Sequence, residues 1–232
     1  MPAPLPADFF ARPTLVVARD LLGALLVHET EAGRLTASTS RLAGRVVETE
    51  AYTADDPAMH GWKATFGADG LVRPEGRAAG LFAAPGTAYV YNLYYTNWLL
   101  NVVTEPEGTA GAVLVRALEP VEGEERMVEN RPASVKKRRD LANGPGKLTQ
   151  ALGIAEPPEA TRSRYHGTDL TRPPLYFERG EPVADGRVAV SSRIGISRGA
   201  DRDYRFYVAD SPFVSPGEPS DLRLARKTGR RR

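Results

Sequence analysis

A chain of 232 residues, 41% of them apolar and 26% charged, has the length and composition of one globular domain with a substantial core. It has no Cys and only three His (His28, His60 and His166) without close spacing, which excludes a disulfide framework, thiolate chemistry and a histidine-based zinc site. The net charge of +2 neither demands nor forbids nucleic acid, but basic residues cluster at 136–139, 193–205 and 226–232, a distribution that can track a phosphate backbone. No apolar run reaches the roughly 18 residues of a membrane span. Residues 1–6 lack the charged and apolar regions of a signal peptide, so a cytoplasmic protein without membrane contact is expected.

In chain order, residues 1–8 are expected to be flexible. The pattern of 14–22 predicts a short amphipathic helix ended by Gly23, followed by a strand over 24–29 and a turn at 31–33. Arg45-Val46-Val47-Glu48-Thr49-Glu50-Ala51-Tyr52 alternates like a strand, and simple alternation puts Val46, Glu48, Glu50 and Tyr52 on one face. Glu is depleted in strands, so two acids on one face mark either a solvated edge or a site. The polar segment 53–60 holds at most one helical turn and delivers His60, and Gly61–Ala84 is a long loop without periodicity.

Pro85-Gly86 turns the chain into 87–95, where four Tyr stand in seven positions. Pairing as a strand puts Tyr89, Tyr91 and Leu93 on one face, with Tyr89 as core, and projects Tyr91 and Tyr94 to opposite sides. Residues 98–104 form an apolar strand interrupted by Asn101, and 111–118 is apolar on both faces, hence central. Arg116 in that strand requires a carboxylate partner, for which Glu50 and Glu48 are the candidates. A helix is expected over 119–130. Asn143-Gly144-Pro145-Gly146-Lys147 opens a second short helix whose N–H groups and Lys147 suit an anion, without the spacing of a Walker loop. Strands follow at 175–178, 188–191 and 204–208, and 216–232 reads as a flexible basic tail. The whole is one α+β domain over 1–232, a curved, mostly antiparallel sheet with surrounding helices and a protruding β-hairpin.

These segments, with Asp56-Pro57-Ala58-Met59-His60, Leu100-Asn101-Val102-Val103, Val113-Leu114-Val115-Arg116-Ala117-Leu118-Glu119-Pro120 and Arg193-Ile194-Gly195-Ile196, form an ordered set that resembles the alkyladenine (3-methyladenine) DNA glycosylase family over nearly the whole chain. The resemblance implies a monofunctional enzyme, without lyase activity or cofactor. It would flip alkylated or deaminated purines (3-methyladenine, 7-methylguanine, hypoxanthine, ethenoadenine) out of double-stranded DNA and hydrolyse the N-glycosidic bond. By that pattern Glu50 is the general base for water, Arg116 holds Glu50 and the water, and the Ile194 carbonyl is a further water ligand. Tyr52, His60 and Tyr91 line the base pocket, Asn101 meets the 2-amino group of a normal guanine, and Tyr94 fills the gap left in the duplex. Gly146, Lys147 and Arg193 are the expected phosphate contacts, no metal is expected, and the enzyme would act as a monomer near the nucleoid in a prokaryote. Tyr95-Thr96 after the wedge tyrosine and the long Gly61–Ala84 loop depart from the family pattern.

Two other readings fit parts of the pattern. Glu48 and Glu50, roughly 6.5–7 Å apart along a strand, could be the pair of an inverting glycoside hydrolase. The aromatics could be the stacking platform of a non-catalytic damaged-DNA or RNA binder. Basic patches and a Tyr wedge have no use on a neutral glycan, and a buried Arg facing a carboxylate is not needed by a pure binder.

Overall fold

The computed structural model describes residues 3–30, 40–60, 76–94, 97–131, 135–157 and 159–229. The chain order is α1 (Ala7–Phe10), α2 (Thr14–Asp20), β1 (Leu25–Thr30), β2 (Ser40–Thr53), β3 (Ala88–Leu93), β4 (Asn97–Val103), β5 (Gly111–Glu122), α3 (Glu124–Asn130), α4 (Pro145–Ala151), β6 (Leu175–Glu178), β7 (Val188–Ser191), β8 (Arg205–Val208) and α5 (Ser220–Gly229), with a 3-10 helix at Gly76–Phe82 before β3. The strands form one antiparallel sheet in the order β3-β4-β5-β2-β1-β6, with β8 added to β2 and β7 to β8. The expected fold class is the observed one.

The 14-residue β2 organises this sheet. One of its edges pairs with β5 along its length; the other pairs first with β1 through 40–45 and then with β8 through 48–50. Strand alternation divides the molecule into two faces. Val90, Leu100, Val102, Val113 and Val115 point into the main core, where they meet Val17, Leu21, Met127, Leu148 and Leu152 of the helical layer. Their neighbours in the chain, Tyr89, Tyr91, Leu99, Asn101, Ala112 and Leu114, point to the other face and line a cavity.

Alternation does not run unbroken through β2. Val46 pairs with Leu118, Glu48 with Ala117 and Thr49 with Val115, so β2 has one extra residue at Val47 and β5 has one extra at Arg116. Two compensating bulges shift the phase of both strands. Val46 therefore lies in the main core together with Ala51, and not on the face of Glu50 and Tyr52 as unbroken alternation predicts. The same shift places Leu118 in the core after Val115 and leaves Arg116 aimed at the acids of β2.

Four other expectations change. The helix expected from residue 119 starts only at Glu124, because β5 continues through Pro120, pairing with Gly44, to Glu122; Gly123 at φ 73° then ends the strand. The N-terminus is tied down from Ala3, whose carbonyl accepts the Arg179 N–H, and Leu5 is buried with its N–H on the Phe177 carbonyl. Within the C-terminal tail, residues 220–229 form α5. Within the Gly61–Ala84 loop, residues 76–82 are 3-10 helical; the rest of that expectation, to residue 75, lies outside the described residues, as do Tyr95 and Thr96.

Candidate active site

The cavity has a volume of about 510 Å³. The sheet face supplies Tyr52, Tyr89, Tyr91, Leu93, Asn101 and Arg116; loops add His60, Met59 and Ile194, and the start of α4 adds Gly146 and Lys147. The composition is that of a small-molecule pocket, apolar and aromatic with a few polar groups.

Glu50 stands behind its wall. Its Oε1 accepts the backbone N–H of Ile194 at 2.7 Å and lies 3.1 Å from Arg116 Nη1, while Oε2 accepts the Tyr52 hydroxyl at 2.9 Å. The carboxylate has no exposed surface, and its three partners all line the cavity. Burial works against the charge on Arg116, but the carboxylates of Glu50 and Glu48 raise its pKa above the ordinary arginine value. Burial, and then the negative charge of Glu50, push the Tyr52 phenol well above its ordinary pKa, so it remains a donor to Glu50 at neutral pH.

Glu48, one strand period away, has a different environment. It accepts from Arg116 Nε at 3.2 Å, from Arg205 Nε at 2.7 Å, and from the Ser215 N–H and hydroxyl at 2.7 and 2.8 Å. It is fully buried and does not line the cavity. The two acids therefore do not face one substrate, which removes the geometric basis for a two-carboxylate glycoside hydrolase.

The aromatic side of the pocket is a contact set. His60 and Tyr91 rings meet edge to face at 4.4 Å, His60 Nδ1 lies 3.0 Å from the Tyr89 hydroxyl, and Asn101 donates Nδ2 to the Tyr89 carbonyl at 3.0 Å. Tyr94 closes β3 at the hairpin end, 81% exposed and at φ 55°, a conformation uncommon for a bulky residue. The structure brings Tyr52, His60, Tyr91, Asn101, Arg116 and Ile194 together around one space. Ile194 meets Glu50 through its N–H; the resemblance gives its carbonyl a separate part, as a ligand of the water.

Arg193 is the residue whose setting contradicts its expected role. It has no exposed surface; its guanidinium is spent on the Asp56 carboxylate and on the carbonyls of Ala51 and Gly199. It stacks over Tyr52 with 4.6 Å from Cζ to the ring centroid. A buried, paired guanidinium cannot reach a phosphate; it ties the loop of Ile194 to the loop of His60. Lys147 does face the cavity, with Nζ on Asn143 Oδ1 at 2.7 Å. The glycine at 146 has a packing reason, since a Cβ there would lie 2.5 Å from Asn97 Oδ1.

Asp56, Arg205 and Ser215 were not singled out from the sequence. A buried Glu48 demands donors, but nothing local says that residues about 160 positions later supply them. Among the described residues no cluster of His, Asp and Glu could hold a metal, and no helix is long and apolar enough to cross a membrane.

Residues 8–212 match the model of the family described as methylpurine-DNA glycosylase. A protein of Salinibacter ruber is 57% identical over 218 residues, covering 94% of this chain and 98% of its own. Proteins of Prosthecochloris aestuarii and Chlorobaculum tepidum are 44% and 39% identical, covering 91% and 97% of this chain and the same shares of their own. All three are named, provisionally, as 3-methyladenine DNA glycosylases.

Proposed function

Because the chain belongs to the methylpurine-DNA glycosylase family, we propose that it is a monofunctional, monomeric DNA-3-methyladenine glycosylase that flips damaged purines from duplex DNA into this cavity and hydrolyses their N-glycosidic bond. The observation that carries the reading is the buried Glu50 carboxylate, fixed by Tyr52, Ile194 and Arg116 behind the wall of an aromatic pocket.

The chemistry follows from what each group can do. An alkylated purine is cationic, so it stacks favourably on the electron-rich ring of Tyr91 and leaves without a general acid. As the bond to C1′ breaks, its electron pair goes to the purine and the sugar gains oxocarbenium character, which the negative charge of Glu50 stabilises. A carboxylate has about four acceptor positions. Tyr52, Ile194 and Arg116 occupy three of them, which leaves one on Oε2 to receive the water proton while the water oxygen bonds C1′. Glu50 has no exposed surface, so the water reaches Oε2 only when one of its three cavity-lining partners yields. Asn101 faces the purine edge and works against a guanine 2-amino group. Lys147 is the phosphate contact at the cavity mouth.

The test is single-turnover excision on duplexes carrying 3-methyladenine, hypoxanthine or ethenoadenine, read by alkali cleavage of the abasic product. Wild-type protein should cleave at least one, and Glu50→Gln should slow that reaction about 10²–10⁴-fold with lesion affinity retained. Wild-type protein inactive on all three sinks the reading; a Glu50→Gln protein near the wild-type rate removes Glu50 from the chemistry.

A further inference from the structure

The loop 192–196 supplies both the N–H that holds Glu50 and the cavity-lining residues Ile194, Gly195 and Ile196. It has no ladder of its own beyond one isolated bridge, and such segments are usually the less stable parts of a fold. A hydrogen bond to a catalytic carboxylate nevertheless demands placement to a fraction of an ångström. Arg193, through Asp56, fixes one flank.

The other flank is held by residues 217–223, beyond residue 212, where the family match ends. Ser220 has no exposed surface; its N–H donates to the Arg193 carbonyl at 2.9 Å, and its Oγ accepts the Ile196 N–H at 3.2 Å. These two bonds bracket Ile194. Pro219 forms the isolated bridge with Ile194, Arg223 donates Nη2 to the Ile196 carbonyl at 3.1 Å, and Asp221 accepts the Ser192 hydroxyl. Gly217 packs against Ile194 so closely that a Cβ would lie 2.6 Å from Ile194 Cγ2.

We propose that Ser220 and Arg223 are positioning residues for Glu50, acting through the Ile194 N–H, and that the start of α5 is thereby part of the catalytic apparatus. The inference rests on Glu50 being the base. The contrasting possibility is that these bonds only anchor α5. In that case their loss costs stability and leaves the rate per folded molecule unchanged, because the bond to Glu50 would persist without them.

The experiment uses full-length protein. Ser220→Ala keeps the backbone N–H but removes the acceptor for Ile196; Arg223→Met keeps the stem and removes the donor. Each should slow single-turnover excision at saturating enzyme about 5–50-fold, leave lesion-DNA affinity within about twofold, and Ser220→Thr should restore most of the rate. If the wild type itself excises nothing, the reading of the site fails. If the wild type is active and both variants keep its rate, with or without a lower Tm, only the present inference falls. Parallel loss of rate and affinity would likewise make the segment a general folding element and overturn it. Should Ser220→Ala fail to fold, Arg223→Met, whose side chain is partly exposed, decides alone.

Discussion

Arg116 places its Nε 3.2 Å from Glu48 Oε1 in a layer where Glu48 has no exposed surface. The same guanidinium reaches Glu50 with Nη1. One cation thus couples an acid that faces the cavity wall to an acid that does not. Glu48 is further bound by Arg205 and Ser215, so it orients Arg116 from behind while Arg116 orients Glu50 in front.

This arrangement predicts that the two acids fail differently when changed. Removing one member of a buried, hydrogen-bonded charge network leaves its partners uncompensated and costs on the order of 3–5 kcal/mol. Glu48→Gln should therefore show a clear loss of stability in urea denaturation, with excision per folded molecule reduced less than in Glu50→Gln. Glu50→Gln should lose chemistry first. A Glu48→Gln protein as stable as the wild type but inactive would assign the chemistry to Glu48 and reverse the roles.

A second prediction concerns acid stability and lies away from the cavity. His28 is buried; its Nδ1 is 2.7 Å from the Leu152 carbonyl, which can only accept, so Nδ1 carries the proton. The Tyr165 hydroxyl then donates to Nε2, at 2.7 Å. Protonating Nε2 would remove that acceptor in a buried place, and burial holds the His28 pKa below its ordinary 6.5. Between the depressed folded value and 6.5 the unfolded chain binds more protons than the native one, so native stability rises with pH in that window. Stability from His28 is fully present above 6.5 and is lost as pH falls below it. One such group contributes a slope of at most about 1.4 kcal/mol per pH unit. Denaturation midpoints at pH 7 and pH 5 should show a smaller drop for His28→Gln than for the wild type; an equal drop in both would exclude His28 as the source.

What the sequence makes legible is what obeys local periodicity. The two faces of β3, β4 and the first part of β5 obey alternation, with Tyr91 and Asn101 beside the cavity and Val90 and Val102 in the core. The ion pair of Arg116 is legible for another reason: a guanidinium in an apolar strand must find a carboxylate. Where alternation breaks, the reading breaks too. Nothing in Val46-Val47-Glu48 announces a bulge, because the extra residue is fixed by the partner strand and by Arg116 opposite. Arg193 looks like surface charge in a basic run, and only the fold brings Asp56 to it. Ser215 carries no local signal and Ser220 falls in the stretch read as a flexible tail; their meaning comes from the sites they reach, Glu48 and the loop of Ile194.

The last prediction concerns the hairpin. Tyr94 is 81% exposed in the turn just after β3, its backbone in a left-handed conformation, while Tyr91 of β3 packs against His60 in the cavity. Three residues apart, one ring is inside and the other projects into solvent. A large exposed aromatic held this way has no stabilising role in the free protein, but it suits insertion into a base stack, where unstacking costs a few kcal/mol and an apolar wedge offsets part of it. Tyr94→Ala should leave the melting temperature unchanged, since the ring buries little surface. It should weaken binding to lesion-bearing duplex and slow excision there by about tenfold or more, while sparing excision from single strands, whose bases need no replacement in a stack. The measurement is the ratio of single-turnover rates on duplex and single-stranded forms of one lesion, compared between variant and wild type. Equal losses on both would place Tyr94 in base recognition, and no loss on either would leave it without a part in flipping.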